Sequence, residues 1–102
     1  MNYKIVVTQS FEEDIDLVLS YITKILGNPI VAKNLLEEIE TIFNGLSDYP
    51  YAFPIWNKNN SEFEYHYITV KSYIVFYRIN EADKTVYISR LLYSKRNIDQ
   101  II

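Results

Sequence analysis

Apolar residues recur every third or fourth position through the first half of this chain and every second position through its last third. Phe11, Ile15, Val18, Ile22 and Leu26 stand 4, 3, 4 and 4 residues apart, the apolar stripe of an amphipathic helix. Val31, Leu35, Ile39, Ile42 and Leu46 repeat the pattern at 4, 4, 3 and 4 and predict a second helix. Ser10 followed by Glu13 reads as a capping box for the first helix, in which serine and glutamate side chains satisfy each other's backbone amides. Glu12, Glu13 and Asp14 then fall in the first turn, at the positive end of the helix dipole. Gly27 stops that helix, and Asn28-Pro29 starts the next, with Asn28 as N-cap and Pro29 where a missing N–H costs nothing. So short a link predicts an antiparallel helical hairpin whose stripes face each other and a common sheet.

Tyr3–Val7 reads as a short first strand. Between Ser47 and Ser61 the periodicity fails: Pro50, Pro54 and the run Asn57-Lys58-Asn59-Asn60 mark a loop. Its aromatic residues Tyr49, Tyr51, Phe53 and Trp56 predict that it lies over the end of the hairpin. Three strands come next, Glu64–Val70, Tyr73–Ile79 and Thr85–Leu92, joined by Lys71-Ser72 and by the polar turn Asn80–Lys84. Connections this short predict an antiparallel meander. Strict alternation puts Ile74, Phe76, Arg78, Val86, Ile88, Arg90 and Leu92 on one face of the last two strands. Tyr73, Val75, Tyr77, Ile79, Tyr87, Ser89 and Leu91 then fall on the other, and the pattern leaves open which face meets the helices. The expected fold is α+β, one domain over residues 1–102. An N-terminal strand and an antiparallel two-helix hairpin pack on a mostly antiparallel sheet completed by the C-terminal three-stranded meander.

Composition narrows the chemistry. Of the 102 residues 49% are hydrophobic and 16% aromatic, enough for a real core in a chain this short. There is no cysteine, which removes disulfides and thiolate chemistry and fits a reducing compartment. The start Met1-Asn2-Tyr3-Lys4-Ile5 lacks the layout of a secretion signal, and no apolar run approaches the roughly 20 residues that span a bilayer. A soluble, cytoplasmic protein without membrane contact is expected. With two glycines in all there is no phosphate-binding glycine loop, and no histidine–cysteine spacing suits a metal. No metal, cofactor or small-molecule substrate is therefore expected.

Charge is unevenly divided. Residues 1–64 carry four lysines against ten acids, a net −6, while residues 65–102 carry six basic groups against three acids, a net +3, with all three arginines in that stretch. Such asymmetry points an anionic partner toward the C-terminal part; the acidic part reads equally well as a solvated helical surface.

The order strand, helical hairpin, aromatic loop, meander and basic turn resembles the RelE/ParE toxin superfamily. The matching segments are Tyr21, Asn28-Pro29, Ala32 and Leu46-Ser47-Asp48-Tyr49-Pro50 in the hairpin, Tyr73 to Ile79 as the central strand, and Val86 to Arg96 as the last strand with its basic turn. The long hairpin looks more like the ParE branch. The resemblance implies the toxin of a type II toxin–antitoxin pair, held by a cognate antitoxin. A ParE-like toxin inhibits DNA gyrase, and a RelE-like one cuts messenger RNA on the ribosome; an inactive homologue that only binds its antitoxin is the third reading. The sequence departs from the family at His66, where an arginine is common, at Tyr93, where a histidine is common, at Asn97, where an acid is common, and at its end, Gln100-Ile101-Ile102, which has no tyrosine.

RNA cleavage requires a proton acceptor, a proton donor and cations for the charge growing on phosphorus. If the protein is a nuclease, Arg96 and Arg90 fall to phosphate stabilisation and His66 or Tyr93 to the proton. Lys71, Lys95 and Arg96 are the candidates for holding nucleic acid or another target. Each has a plainer rival. His66 reads as a half-buried structural histidine, Arg78 as the partner of Glu81, Arg90 as an ion-pair partner on the sheet, and Lys95-Arg96 as exposed surface. The ten tyrosines invite base stacking, yet aromatics also favour strand cores and rims.

Overall fold

The computed structural model describes residues 2–56, 63–96, 98 and 101. In chain order they form β1 (Lys4–Val7), α1 (Gln9–Ser20), a π-helical turn (Tyr21–Ile25), α2 (Pro29–Asp48), β2 (His66–Val70), β3 (Tyr73–Asn80) and β4 (Thr85–Tyr93). The sheet order is β1-β4-β3-β2. β1 runs parallel to β4, and both remaining pairs are antiparallel. This is the α+β arrangement that the periodicities predict, with the first strand added beside the last.

α1 is capped by Thr8 rather than Ser10. The Thr8 hydroxyl accepts from the Phe11 amide at 3.3 Å and sits 2.9 Å from the Ile88 carbonyl and 3.1 Å from that of Ser89. One side chain thus starts the helix and ties it to β4, which Ser10, already inside the helix, cannot do. Asn28 caps α2 by accepting from the Val31 amide, with Pro29 in the first turn. Between the helices the Leu26 amide bonds to Tyr21 O and the Asn28 amide to Ile22 O, wider rings than an α-helix makes. A π turn holds an extra residue and rotates the next stretch of chain about the helix axis. Ile22 therefore stays buried, while Leu26, the last member of the apolar stripe, turns outward and is 59% exposed. Gly27, at φ +64°, makes the left-handed step that glycine takes without steric penalty.

The helices cover one face of the sheet. Phe11, Ile15, Ile22, Leu35, Ile39 and Leu46 pack there on Ile68, Val70, Val75, Tyr77, Val86, Ile88 and Leu91. On the opposite face a smaller cluster of Ile74, Phe76, Leu92 and Ile98 is covered by Trp56, Tyr65, Tyr67 and Ile101. Strict alternation along β4 does not hold. Phe76 lies opposite Arg90 and Tyr77 opposite Ile88, so Ser89 is an extra residue, a β-bulge. Past it the parity of the strand reverses. Val86, Ile88 and Leu91 share the helix side with Tyr73, Val75 and Tyr77, and Val86 and Ile88 do not share a face with Ile74 and Phe76 as alternation requires.

The aromatic loop does not simply cap the hairpin. The Trp56 amide bonds to Tyr65 O and the Tyr67 amide to Pro54 O, so residues 54–56 line the outer edge of β2 and carry Trp56 to the helix-free face. Nearer the helices the buried Tyr77 hydroxyl donates to Pro50 O at 2.7 Å, and burial pushes this phenol up to about 12. Loop residues 57–60 lie outside the described residues.

Candidate functional site

Two surfaces carry the residues nominated from the sequence, and they lie at different places on the sheet. The larger feature is a groove of about 670 Å³ at the end bearing the β2–β3 turn. One wall is Leu17, Val18 and Tyr21 of the first helical arm, with Leu26, swung out of the core by the π turn, beside them; Val31 and Leu35 of α2 form the other. Tyr73, Tyr93, Lys71 and Ser72 close its end. The lining is mostly apolar and open to solvent. Leu17 is 72% exposed, and Ile25 and Ile30 beside it on the hairpin tip are 71% and 70% exposed. Large apolar side chains grouped in this way mark a surface that is covered by something else.

The polar end of the groove has a definite make-up. The Tyr73 and Tyr93 rings meet edge to face at 5.9 Å. Burial, then the neighbouring Tyr21 and Tyr93, raise the Tyr73 phenol above its ordinary value. Lys71 holds φ +54° and reaches Glu38 at 3.6 Å in a half-exposed ion pair, a contact of small worth.

His66 lies elsewhere. It is 5% exposed, stacks on Tyr77 at 5.1 Å and meets Tyr51 edge-on at 6.0 Å. Its Nδ1 is 2.7 Å from Phe53 O; a carbonyl only accepts, so Nδ1 carries the hydrogen. His66 pairs with Tyr77 and Tyr93 with Tyr73, four residues along one strand, roughly 13 Å at about 3.3 Å per residue.

Arg90 is held by α1. Its Nε and Nη2 donate to the two oxygens of Asp14 at 2.7 and 3.1 Å, and the Leu91 amide donates to the same carboxylate at 3.0 Å. Arg78 is not paired with Glu81. Its guanidinium lies 4.4 Å from the centre of the Phe63 ring and 4.3 Å from that of Tyr87, a cation between two π faces. Lys95 and Arg96 sit exposed in the turn after β4, where the Arg96 amide bonds to Tyr93 O at 3.0 Å. Asn97 lies outside the described residues.

The structure thus brings Lys71 and Tyr93 together at the groove, places Lys95 and Arg96 just beyond Tyr93, and separates all four from His66. The residues nominated for phosphate and proton chemistry do not include Leu17, Tyr21 and Leu26, which line the groove. Their signal is a second apolar stripe, Leu17, Tyr21 and Ile25 at intervals of four, on the face of the first arm turned away from the core. Among the described residues no group of three or more acidic or histidine side chains is placed to hold a metal, and no helix is long and apolar enough to cross a membrane.

The chain matches the family model described as the ParE toxin of the type II toxin–antitoxin system parDE, over residues 5–98. No curated protein sequence matches it. Its fold is shared with solved structures of low identity. A chain from the chromosomal ParDE toxin–antitoxin system of P. aeruginosa superposes with a TM-score of 0.68 at 16% identity, covering 91% of this chain and 97% of that one. One from the toxin–antitoxin complex RelBE2 of Mycobacterium tuberculosis gives 0.60 at 19% identity, over 91% and 99%. One from the archaeal RelE–RelB complex of Pyrococcus horikoshii OT3 gives 0.57 at 17% identity, over 94% and 99%.

Proposed function

This chain belongs to the ParE toxin family of type II toxin–antitoxin systems, and on that premise we propose that it arrests growth by binding DNA gyrase, with no catalysis of its own. The observation that carries this reading is the dispersal of the residues nominated for a nuclease, His66, Arg90, Tyr93 and Arg96. His66 is enclosed by Tyr77, Tyr51 and Phe53 O, and the Arg90 guanidinium is held by Asp14 in two hydrogen bonds. Tyr93 and Arg96 stand away from His66, which pairs with Tyr77 while Tyr93 pairs with Tyr73, four residues along β3. General acid–base cleavage needs its proton carrier within hydrogen-bond reach of the reacting atoms, and a binding toxin has no such requirement.

The second reading, ribosome-dependent cleavage of messenger RNA, draws its support from the exposed Lys95-Arg96 pair beside Tyr93. Induction of the chain in cells lacking an antitoxin separates the two. Gyrase poisoning gives an SOS response and cleaved chromosome with messages intact. Truncated messages within minutes, with intact chromosome, would overturn the gyrase reading.

The partner is a cognate antitoxin, and the apolar groove between α1, the π turn and α2 is its seat. A segment that folds on binding buries apolar side chains where Leu17, Tyr21 and Val31 now meet solvent. Co-purification with the product of the adjacent gene tests this; two soluble proteins that ignore each other would count against it.

A further inference from the structure

The apolar walls of the groove account for affinity but not for its closed end, which gathers hydrogen-bond donors. Tyr21, Tyr73 and Tyr93 carry hydroxyls there, and Lys71 adds an ammonium. Among the described residues these hydroxyls have no hydrogen-bond partner within the protein. Among the described residues Lys71 is engaged by Glu38 at 3.6 Å, both side chains about half exposed. While the groove is open, water serves these groups. Once an apolar segment fills it, water is displaced and each donor left behind needs an acceptor, because buried polar groups without partners are strongly disfavoured.

The donors dictate the chemistry of the missing acceptor. An aliphatic side chain would leave the hydroxyls and the ammonium unpaired, and a carboxamide would bring surplus donors of its own. An ionised carboxylate only accepts, with two oxygens and about four lone-pair sites, and it answers the Lys71 charge. The neighbouring Lys95 and Arg96 add positive field along the approach. Tyrosine hydroxyls are protonated, and therefore donors, at neutral pH, and burial moves Tyr73 further in that direction.

We infer that the end of the groove is a carboxylate subsite, in which the Tyr21, Tyr73 and Tyr93 hydroxyls and Lys71 receive an aspartate or glutamate side chain from the apolar segment of the antitoxin. This rests on the groove being the antitoxin's seat, and it adds which group fixes the register. Apolar side chains alone tolerate sliding along a groove, whereas one buried acid matched to one set of donors admits a single position. Lys71 exchanges Glu38 for the incoming acid.

The test uses the full chain and the purified protein encoded by the adjacent gene, titrated calorimetrically at low and at high salt. Tyr73→Phe with Tyr93→Phe keeps the apolar surface and removes two donors; about tenfold weaker binding is expected. Lys71→Met weakens binding to a similar extent and flattens its salt dependence. Amide replacement of the adjacent protein's acids, one at a time, finds one whose effect disappears when Lys71 is already Met. Unfolding midpoints confirm that the variants are folded. If the Phe and Met variants bind like the parent while Leu17→Asp binds poorly, the carboxylate subsite is overturned and the groove stands. If Leu17→Asp also binds like the parent, or the parent does not bind at all, both readings fall.

Discussion

The two ends of the sheet hold the same ingredients in different states. At the β3–β4 turn, Tyr3, Tyr51 and Lys84 all converge on one carboxylate, Glu81. The Tyr3 hydroxyl donates at 2.9 Å, the Lys84 ammonium at 2.7 Å, and the Tyr51 hydroxyl completes the set. At the β2–β3 turn, Tyr21, Tyr73, Tyr93 and Lys71 line one groove, and no carboxylate among the described residues accepts from the three phenols. One end is chemically closed by the chain itself, and ties the aromatic loop to the turn. The other stands open beside the groove of about 670 Å³. At Glu81 two phenols and a lysine share one carboxylate, whereas at the groove only Lys71 meets a carboxylate, Glu38 at 3.6 Å, and the three phenols have no acceptor among the described residues.

The largest expected effect comes from spoiling the open end. Leu17→Asp puts a charge on the apolar wall at a position 72% exposed, so antitoxin binding should weaken by about a hundredfold or more while the unfolding midpoint barely moves. Calorimetry and thermal melts on the same sample check both halves of that statement. Next comes the loop tie at the closed end. Tyr77→Phe removes the donor to the buried Pro50 carbonyl and should cost about 1–2 kcal/mol in urea unfolding. Wild-type stability should also fall as pH rises from 10 through about 12, because the phenols of Tyr77 and Tyr51 are both raised to about 12 in the folded chain. With a folded value above the unfolded one, that contribution is complete below pH 10 and lost above 12. Tyr77→Phe should flatten part of this alkaline decline.

Gly27→Ala tests the joint of the open end. No heavy atom lies within 4 Å of the added methyl, so only the left-handed backbone objects, at about 1 kcal/mol. A larger loss would mean that the π turn and its groove wall depend on this step. The smallest effect is expected at Glu81. Its carboxyl is lowered to about 2, first by Lys84, then by Tyr51 and Tyr3. Its contribution is therefore present above the ordinary value of 4.5 and fades as pH drops through about 2. Glu81→Gln should remove that acid-side dependence and leave antitoxin binding unchanged, since the cluster is remote from the groove.

Much of the fold was legible in the residues, and the gaps have physical causes. The two helical stripes, the Asn28-Pro29 restart and the three C-terminal strands are local patterns, and local forces suffice to form them. Thr8 and Ser10 both offer a hydroxyl at a helix start, and local sequence cannot rank them. Thr8 wins through Ile88 and Ser89, some eighty positions away. The bulge at Ser89 is equally silent, because a serine in a strand announces nothing until its neighbours choose a register. Without it the faces of β4 are misassigned, as Val86 and Ile88 show.

The candidate site was legible by residue type more than by arrangement. Lys71 and Tyr93 could be nominated, but their meeting with Leu17 and Tyr21 depends on where the hairpin lands on the sheet. Arg90 was visible as a cation; that Asp14 holds it is a contact across 76 positions.

Asp14 has one more effect. β1 ends opposite Ile88, so beyond that point no strand among the described residues flanks β4, and the Leu91 amide there is taken by a side chain from α1. An extended peptide seeking to lengthen the sheet at this position would first have to evict a carboxylate already bound to an arginine. A carboxylate and an arginine thereby guard that rim against strand-by-strand stacking.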